Sequence, residues 1–257
     1  MKVYEFGEDQ DKTILIFQCT AEPWWVFEAS ARALARDFHV FLFISDGHDE
    51  QGTDFVSIEK NVEQAVAYLH GRGIHSLDML YGISMGGSSV MYLLAWQLMP
   101  VKKAIVDAGI TPSVWPKWLC RIIAMKDFIF VRIGFCSIRL MKAVMPPERW
   151  TPAGEDPEEH YMKLHDFGKR HYSSRTIYRV FWSANNYSMP QPVPATETEM
   201  EYWYGEEEKS ARGNDILRAR MAFPQIVLRE FCGLAHAELV MMFPERFRQE
   251  VLRFWHG

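Results

Sequence analysis

The sequence predicts an α/β fold, a mostly parallel sheet flanked by helices, with a helical segment inserted between two of its strands. Three observations carry that expectation. Short continuous apolar runs alternate with amphipathic stretches up to residue 110 and again beyond residue 195. A Gly-x-Ser-x-Gly sequence lies between one such run and a helical stretch. From 111 to 194 the alternation gives way to helical runs rich in Trp, Met and Phe. The expected division is therefore a core of 1–110 and 195–257 with an inserted helical cap of 111–194.

The elements follow in order. Lys12 to Phe17 and His39 to Ile44 are apolar, β-branched runs, as in strands covered on both faces. Between them, Phe27, Ala31 and Leu34 mark one face of a helix. Phe55 to Leu69 is amphipathic, with Ile58, Val62, Val66 and Leu69 on one side. Met79 to Tyr81 reads as a strand, Ser88 to Trp96 as a helix, and Lys103 to Gly109 as a further strand. Buried strands alternating with helices imply parallel pairing through right-handed crossovers. In the insert, Trp115 to Met145, Asp156 to Arg170 and Ser174 to Asn185 are helical runs punctuated by prolines. The sheet pattern returns with strands over Glu199 to Tyr204 and Gln225 to Phe231, separated by a helix from Lys209 to Ala222. Pro244 opens a closing helix striped by Phe247, Val251 and Phe254.

Composition limits the partners. The 257 residues are 48% hydrophobic and 24% charged, the balance of an ordinary globular protein. A net charge of −5 gives no basic face for nucleic acid. The run from Trp118 to Val144 is apolar, but five basic residues and Asp127 interrupt it, so no transmembrane segment is expected. The N-terminus turns acidic at once and lacks the pattern of a secretory signal. The four cysteines (Cys19, Cys120, Cys136, Cys232) have no metal spacing and read as free thiols of a cytoplasmic protein.

Gly82-Ile-Ser-Met-Gly86 is the chemically specific stretch. Strand, sharp turn and helix around a central serine form the nucleophile-elbow pattern, in which Ser84 stands exposed on a strained turn. The plain alternative is a glycine-rich turn before a helix; the strand before it and the helix after it favour the elbow. A serine nucleophile needs a base, and an acid behind the base, in the chain order Ser, acid, His. Of nine histidines, His236 alone follows the last strand in a short loop, at the strand ends that share one face. His48, in a strand-exit loop, is placed to contact substrate. For the acid, Glu206, Glu207 and Glu208 follow the preceding strand, and Asp107 at the exit of the strand before that is a rival.

With Gly82-Ile-Ser-Met-Gly86, Gly233-Leu-Ala-His236 and Asp46-Gly-His-Asp49 in place, the chain resembles the α/β-hydrolase superfamily over its whole length. In detail it is similar to small bacterial α/β-hydrolases of unassigned substrate. The resemblance implies the α/β-hydrolase fold with an inserted cap. It aligns Glu208 with the family's triad aspartate, and it implies an oxyanion hole from the backbone N–H groups of Met85 and Thr20. Gln18-Cys19 stands where the family commonly has His-Gly, and the acid is a glutamate within a triplet.

The function expected is a serine hydrolase acting on a carboxylic ester or similar small acyl substrate, without metal or organic cofactor. Ser84 is the nucleophile, His236 the base and Glu208 the orienting acid, with Asp107 the alternative. Trp24, His48 and Trp118 are expected to contact an apolar small-molecule substrate. Amide or carbon–carbon bond hydrolysis on the same triad, and ligand binding with little turnover, are the alternatives.

Overall fold

The structure is a computed structural model that describes residues 1–257. Its strands are β1 (Lys2–Phe6), β2 (Thr13–Phe17), β3 (His39–Ile44), β4 (Leu77–Ile83), β5 (Val101–Asp107), β6 (Glu199–Gly205) and β7 (Val227–Phe231). They form one sheet in the order β1-β3-β2-β4-β5-β6-β7. All neighbours pair in parallel except β1, which runs antiparallel to β3 with Lys2 opposite Ile44. The order reverses between β2 and β4, and there the crevice at the strands' carboxyl ends opens.

Side chains alternate between two apolar layers because successive strand residues point to opposite faces. Leu15, Phe41, Leu80, Ala104 and Tyr202 belong to one buried cluster, packed against α2 (after α1, Glu28–Leu34, α2 is Ile58–Gly71) and α3 (Met85–Ala95). Ile14, Leu42, Met79, Ile105 and Trp203 belong to the other, which takes Phe27, Ala31 and Leu34 on the α1 side. Ser57 caps α2 by accepting the Lys60 N–H at 3.2 Å.

Five helices lie between β5 and β6: α4 (Lys117–Cys136), α5 (Ile138–Val144), α6 (Pro147–Trp150), α7 (Pro157–His171) and α8 (Ser174–Ala184). The single run expected from Trp115 to Met145 is broken at Ser137, whose backbone is extended (φ −153°, ψ 125°). Helix α8 is stitched to the core: Ser183 Oγ accepts the Ile58 N–H at 2.8 Å, and Val180 is buried in the same cluster as Phe55. After β6 come α9 (Lys209–Ala222), α10 (Glu238–Met242) and α11 (Pro244–His256). The short α10 and the strand β1 were not expected from the sequence. All five β1 residues are half-buried, so an edge strand of Lys-Val-Tyr-Glu-Phe lacks the continuous apolar run that marks the interior strands.

The helix α11 closes the second layer through an aromatic cluster. Phe247 is fully buried, with its ring 4.8 Å from Tyr81 and 6.2 Å from Trp203. Phe247→Ala should therefore remove a large buried ring from a site too crowded to collapse, destabilising the fold by about 3–5 kcal/mol. Urea unfolding checks this; a loss below about 1 kcal/mol would mean the cluster does not hold α11.

Candidate active site

Ser84 sits between β4 and α3 with φ 56° and ψ −113°, a conformation that L residues rarely adopt. Its N–H donates to the Asp107 carbonyl at 2.8 Å, which ties the turn to the end of β5. The flanking glycines are required by close approach. A Cβ at Gly82 would lie 2.2 Å from the Gly86 carbonyl oxygen, and one at Gly86 would lie 2.2 Å from the Phe17 carbonyl oxygen. Met85 opens α3, so its N–H has no acceptor within the helix.

Across the crevice, β6 runs into a single 3-10 turn over Glu206–Glu208, and the three glutamates take separate partners. Glu206 accepts the Gly233 N–H at 2.8 Å, and Glu207 pairs with Arg149 at 2.9 Å. Glu208 turns inward. Its Oε1 accepts the Gly205 N–H at 3.1 Å, while Oε2 lies 2.7 Å from His236 Nδ1 and accepts from Arg212 Nε at 3.1 Å. Burial alone would raise the Glu208 carboxyl. The hydrogen bond and charge of His236, with the charge of Arg212, outweigh burial and hold it below the usual carboxylate range. Nδ1 of His236 is engaged by a carboxylate, which leaves Nε2 as the nitrogen available to a reacting group.

Arg149 of α6 fastens the loop that carries His236. Its guanidinium donates to the Gly233 carbonyl at 3.0 Å and to both carboxylate oxygens of Glu238, the nearer at 2.6 Å. Glu238 in turn accepts the Ala235 N–H at 2.8 Å. The inserted helices thus brace the loop on both sides of His236.

Ser84 and His236 line one cavity of about 540 Å³. The loop after β2 contributes Cys19, Thr20, Ala21 and Glu22, and the inserted helices contribute Phe130, Phe135, Met141 and Met145. The Cys19 thiol lies against the Ser84 hydroxyl, and burial pushes it up to about 12, so it stays protonated and unreactive. Burial likewise pushes the Glu22 carboxyl up to about 8. Arg212 also reaches the cavity wall, between Glu208 and Asp215.

The remaining expected residues fall elsewhere. Asp107 is buried and accepts the Tyr81 hydroxyl at 2.6 Å, and burial pushes its carboxyl up to about 7; Glu208, not Asp107, is the carboxylate that meets His236. Trp24 stacks on Tyr4 with ring centroids 4.1 Å apart, away from the cavity. Trp118 points outward, 64% exposed, because it occupies the solvent side of α4. His48 is 1% exposed and does not line the cavity. Its position in a strand-exit loop suggested a substrate contact, but the ring turns inward. There Nε2 accepts the Ala21 N–H at 3.1 Å, and Nδ1 lies 3.3 Å from the Asp46 carbonyl.

That geometry requires a neutral His48. Burial depresses its pKa to about 4, partly opposed by the Asp46 carbonyl and the Asp49 charge. The imidazole takes up a proton near pH 6.5 in the unfolded chain but only near 4 in the folded one. Its contribution to stability is therefore full above pH 6.5, falls as pH drops toward 4, and is constant below. At roughly 1.4 kcal/mol for each pH unit separating the two pKa values, the loss across that window should reach about 3 kcal/mol. Urea unfolding at pH 7 and pH 4.5, compared with His48→Gln, checks it. Between these two pH values the variant should lose about 2.4 kcal/mol less than the wild type, and parallel curves would disprove the assignment.

No model of a known protein family and no curated protein matches the sequence. Solved structures do match. A serine hydrolase from the polyaromatic-hydrocarbon-degrading bacterium Cycloclasticus zankles is 16% identical with a TM-score of 0.73, covering 99% of this chain and 93% of its own. An α/β hydrolase enzyme from a Medee basin deep-sea metagenome library is 16% identical with a TM-score of 0.73, covering 100% and 93%. The enol-lactonase from Burkholderia xenovorans LB400 is 16% identical with a TM-score of 0.67, covering 100% and 96%. With a central parallel sheet, a serine on a strained strand–helix turn and near-complete overlap with these structures, the chain has the fold of the α/β-hydrolase superfamily.

Proposed function

We propose that the protein is a serine hydrolase that cleaves a carboxylic ester through an acyl-enzyme. The observation that carries this reading is the single cavity shared by the strained Ser84 and a His236 held at 2.7 Å by the Glu208 carboxylate. Ser84 Oγ attacks the substrate carbonyl while His236 Nε2 takes its proton. Glu208 fixes the tautomer and stabilises the imidazolium that forms. The oxyanion is received by the backbone N–H groups of Met85 and Thr20. His236 then protonates the departing alcohol, and a water activated by the same histidine releases the acid. The fold neighbours that are described as a serine hydrolase, a marine microorganism esterase and an enol-lactonase support the reaction class.

In this reading residues 111–194 are a cap. Phe130, Phe135, Met141 and Met145 give the cavity that holds Ser84 an apolar wall, suited to an acyl chain and to excluding water. Asp107, engaged by Tyr81, supports the turn rather than the histidine.

Ser84→Ala should lower turnover of activated esters by about a millionfold while leaving the unfolding midpoint within error. Glu208→Gln should cost about a thousandfold or more, against little for Glu207→Gln. A fluorophosphonate probe should label the wild type and not Ser84→Ala. Reversible ligand binding without labelling would point to a receptor and overturn the hydrolase.

The cavity also sets an acyl preference. Each buried methylene gains up to about 0.8 kcal/mol until the apolar wall is covered. Across p-nitrophenyl esters, kcat/KM should rise from acetyl to medium chains and then fall. A flat profile, or one highest on acetyl, would mean the inserted helices do not hold the acyl chain.

A further inference from the structure

The inserted helix α4 leaves an apolar ridge on the surface that neither the cavity nor the core uses. Trp118 is 64% exposed, Ile122 57%, Ile129 47% and Ile133 49%, and Met125 lies among them. At 3.6 residues per turn these five side chains fall within an arc of about 80°. Arg121 and Arg132 lie on one shoulder of that arc and Lys126 on the other, while Asp127 lies on the opposite side of the helix. From Lys117 to Lys142, six basic residues stand against one acid, a net charge of +5. The rest of a chain whose total is −5 therefore carries −10. Of the six, only Lys126 and Lys142 meet an acid, in Asp127 and Glu158.

We propose that this face of α4 docks the protein on an anionic lipid surface. A convex apolar ridge with cations on both shoulders is the layout of a helix lying in the plane of a bilayer interface. The apolar side chains enter the headgroup boundary and the cations meet phosphate. Arg121, Lys126 and Arg132 flank the ridge on an otherwise acidic chain, and that asymmetry orients this face toward anionic lipid. No helix is long and apolar enough to cross a membrane, so α4 lies on the surface rather than spanning it. A second copy of the chain is a poorer occupant, because a two-fold contact would set the same cations against each other. Phe130 and Lys126, beside the ridge, also line the cavity, so docking brings that wall of the cavity next to the lipid. The proposal does not depend on the reaction at Ser84.

The Ser84→Ala variant, which cannot consume the lipid, should be mixed with sucrose-loaded vesicles of phosphatidylcholine alone or with about 30% phosphatidylglycerol, and sedimented. Expected is binding to the anionic vesicles and not to phosphatidylcholine alone, weakened at about 0.5 M salt. Trp118→Ser/Ile122→Ser/Ile129→Ser and Arg121→Glu/Arg132→Glu/Arg139→Glu should each weaken binding at least ~10-fold. Five of the six positions are exposed and Arg132 is half-buried, and circular dichroism melts check that both variants fold. Should either fail to fold, quenching of tryptophan emission by brominated phosphatidylglycerol replaces it. That quenching should be strong in Ser84→Ala and largely lost when Trp118→Phe is added. No sedimentation with anionic vesicles, or binding that the folded variants leave intact, overturns the proposal. So does a dimer in light scattering that the apolar triple variant converts to monomer.

Discussion

The close approach of α3 to the end of β2 is the constraint on which the site depends. Where Gly86 passes Phe17, a methyl group would meet a carbonyl oxygen at 2.2 Å, so any other residue would force the helix off the sheet. That approach brings three things to one place: the free N–H groups opening α3, the loop from Cys19 to Glu22, and the Ser84 side chain. Ser84 is held in its unfavourable backbone conformation by its neighbours. Its N–H is anchored on β5 through the Asp107 carbonyl, and Asp107 is fixed in turn by the hydroxyl of Tyr81 within the aromatic cluster. Core packing and strained turn are thus one mechanical unit, as residues in sparsely populated conformations require.

The opposite side of the crevice is built from charge rather than close backbone packing. Glu208 is buried, yet the His236 imidazole and the Arg212 guanidinium beside it keep its carboxyl low. Arg212 extends the network to Asp215, which accepts the Thr111 N–H at 2.9 Å where the inserted helices leave the sheet. Arg149 ties those same helices to the loop of His236. The insert is therefore joined to the histidine and acid side through ion pairs, and to the first layer through Val180 and Ser183.

What was legible in the sequence follows from burial. Strands covered on both faces, such as Thr13–Phe17 and His39–Ile44, announce themselves as apolar runs. The half-buried edge strand Lys2–Phe6 does not, and nothing in Trp115 to Met145 marks Ser137 as the break, because the chain stays apolar across it. Ser84 and His236 could be singled out since their signals are positional, a serine between strand and helix and a histidine after the last strand. The choice among Glu206, Glu207 and Glu208 could not be made from composition: three adjacent glutamates differ only in which way the 3-10 turn points them. The same blindness to direction explains His48, Trp24 and Trp118. Each lies near the crevice in sequence terms, but one points into the core, one onto Tyr4 and one into solvent.

The carboxyls in and behind the cavity are separated by environment rather than by residue type. Glu208 accepts hydrogen bonds from a backbone N–H, an imidazole and a guanidinium, and it remains anionic at neutral pH. Glu22 has no such cationic partner, and burial favours its neutral form to about pH 8. Asp107, with only a phenol to donate to it, is pushed up to about 7. A base that must become an imidazolium needs one fixed anion behind it and no second anion competing from the substrate side. In the proposed reaction a charged Glu22 would be such a competitor, and it would also repel the oxyanion. Burial favours the neutral form of Glu22 and removes both effects. In the proposed reaction the negative charge then stays on the Glu208 side of the histidine, where it would aid proton transfer.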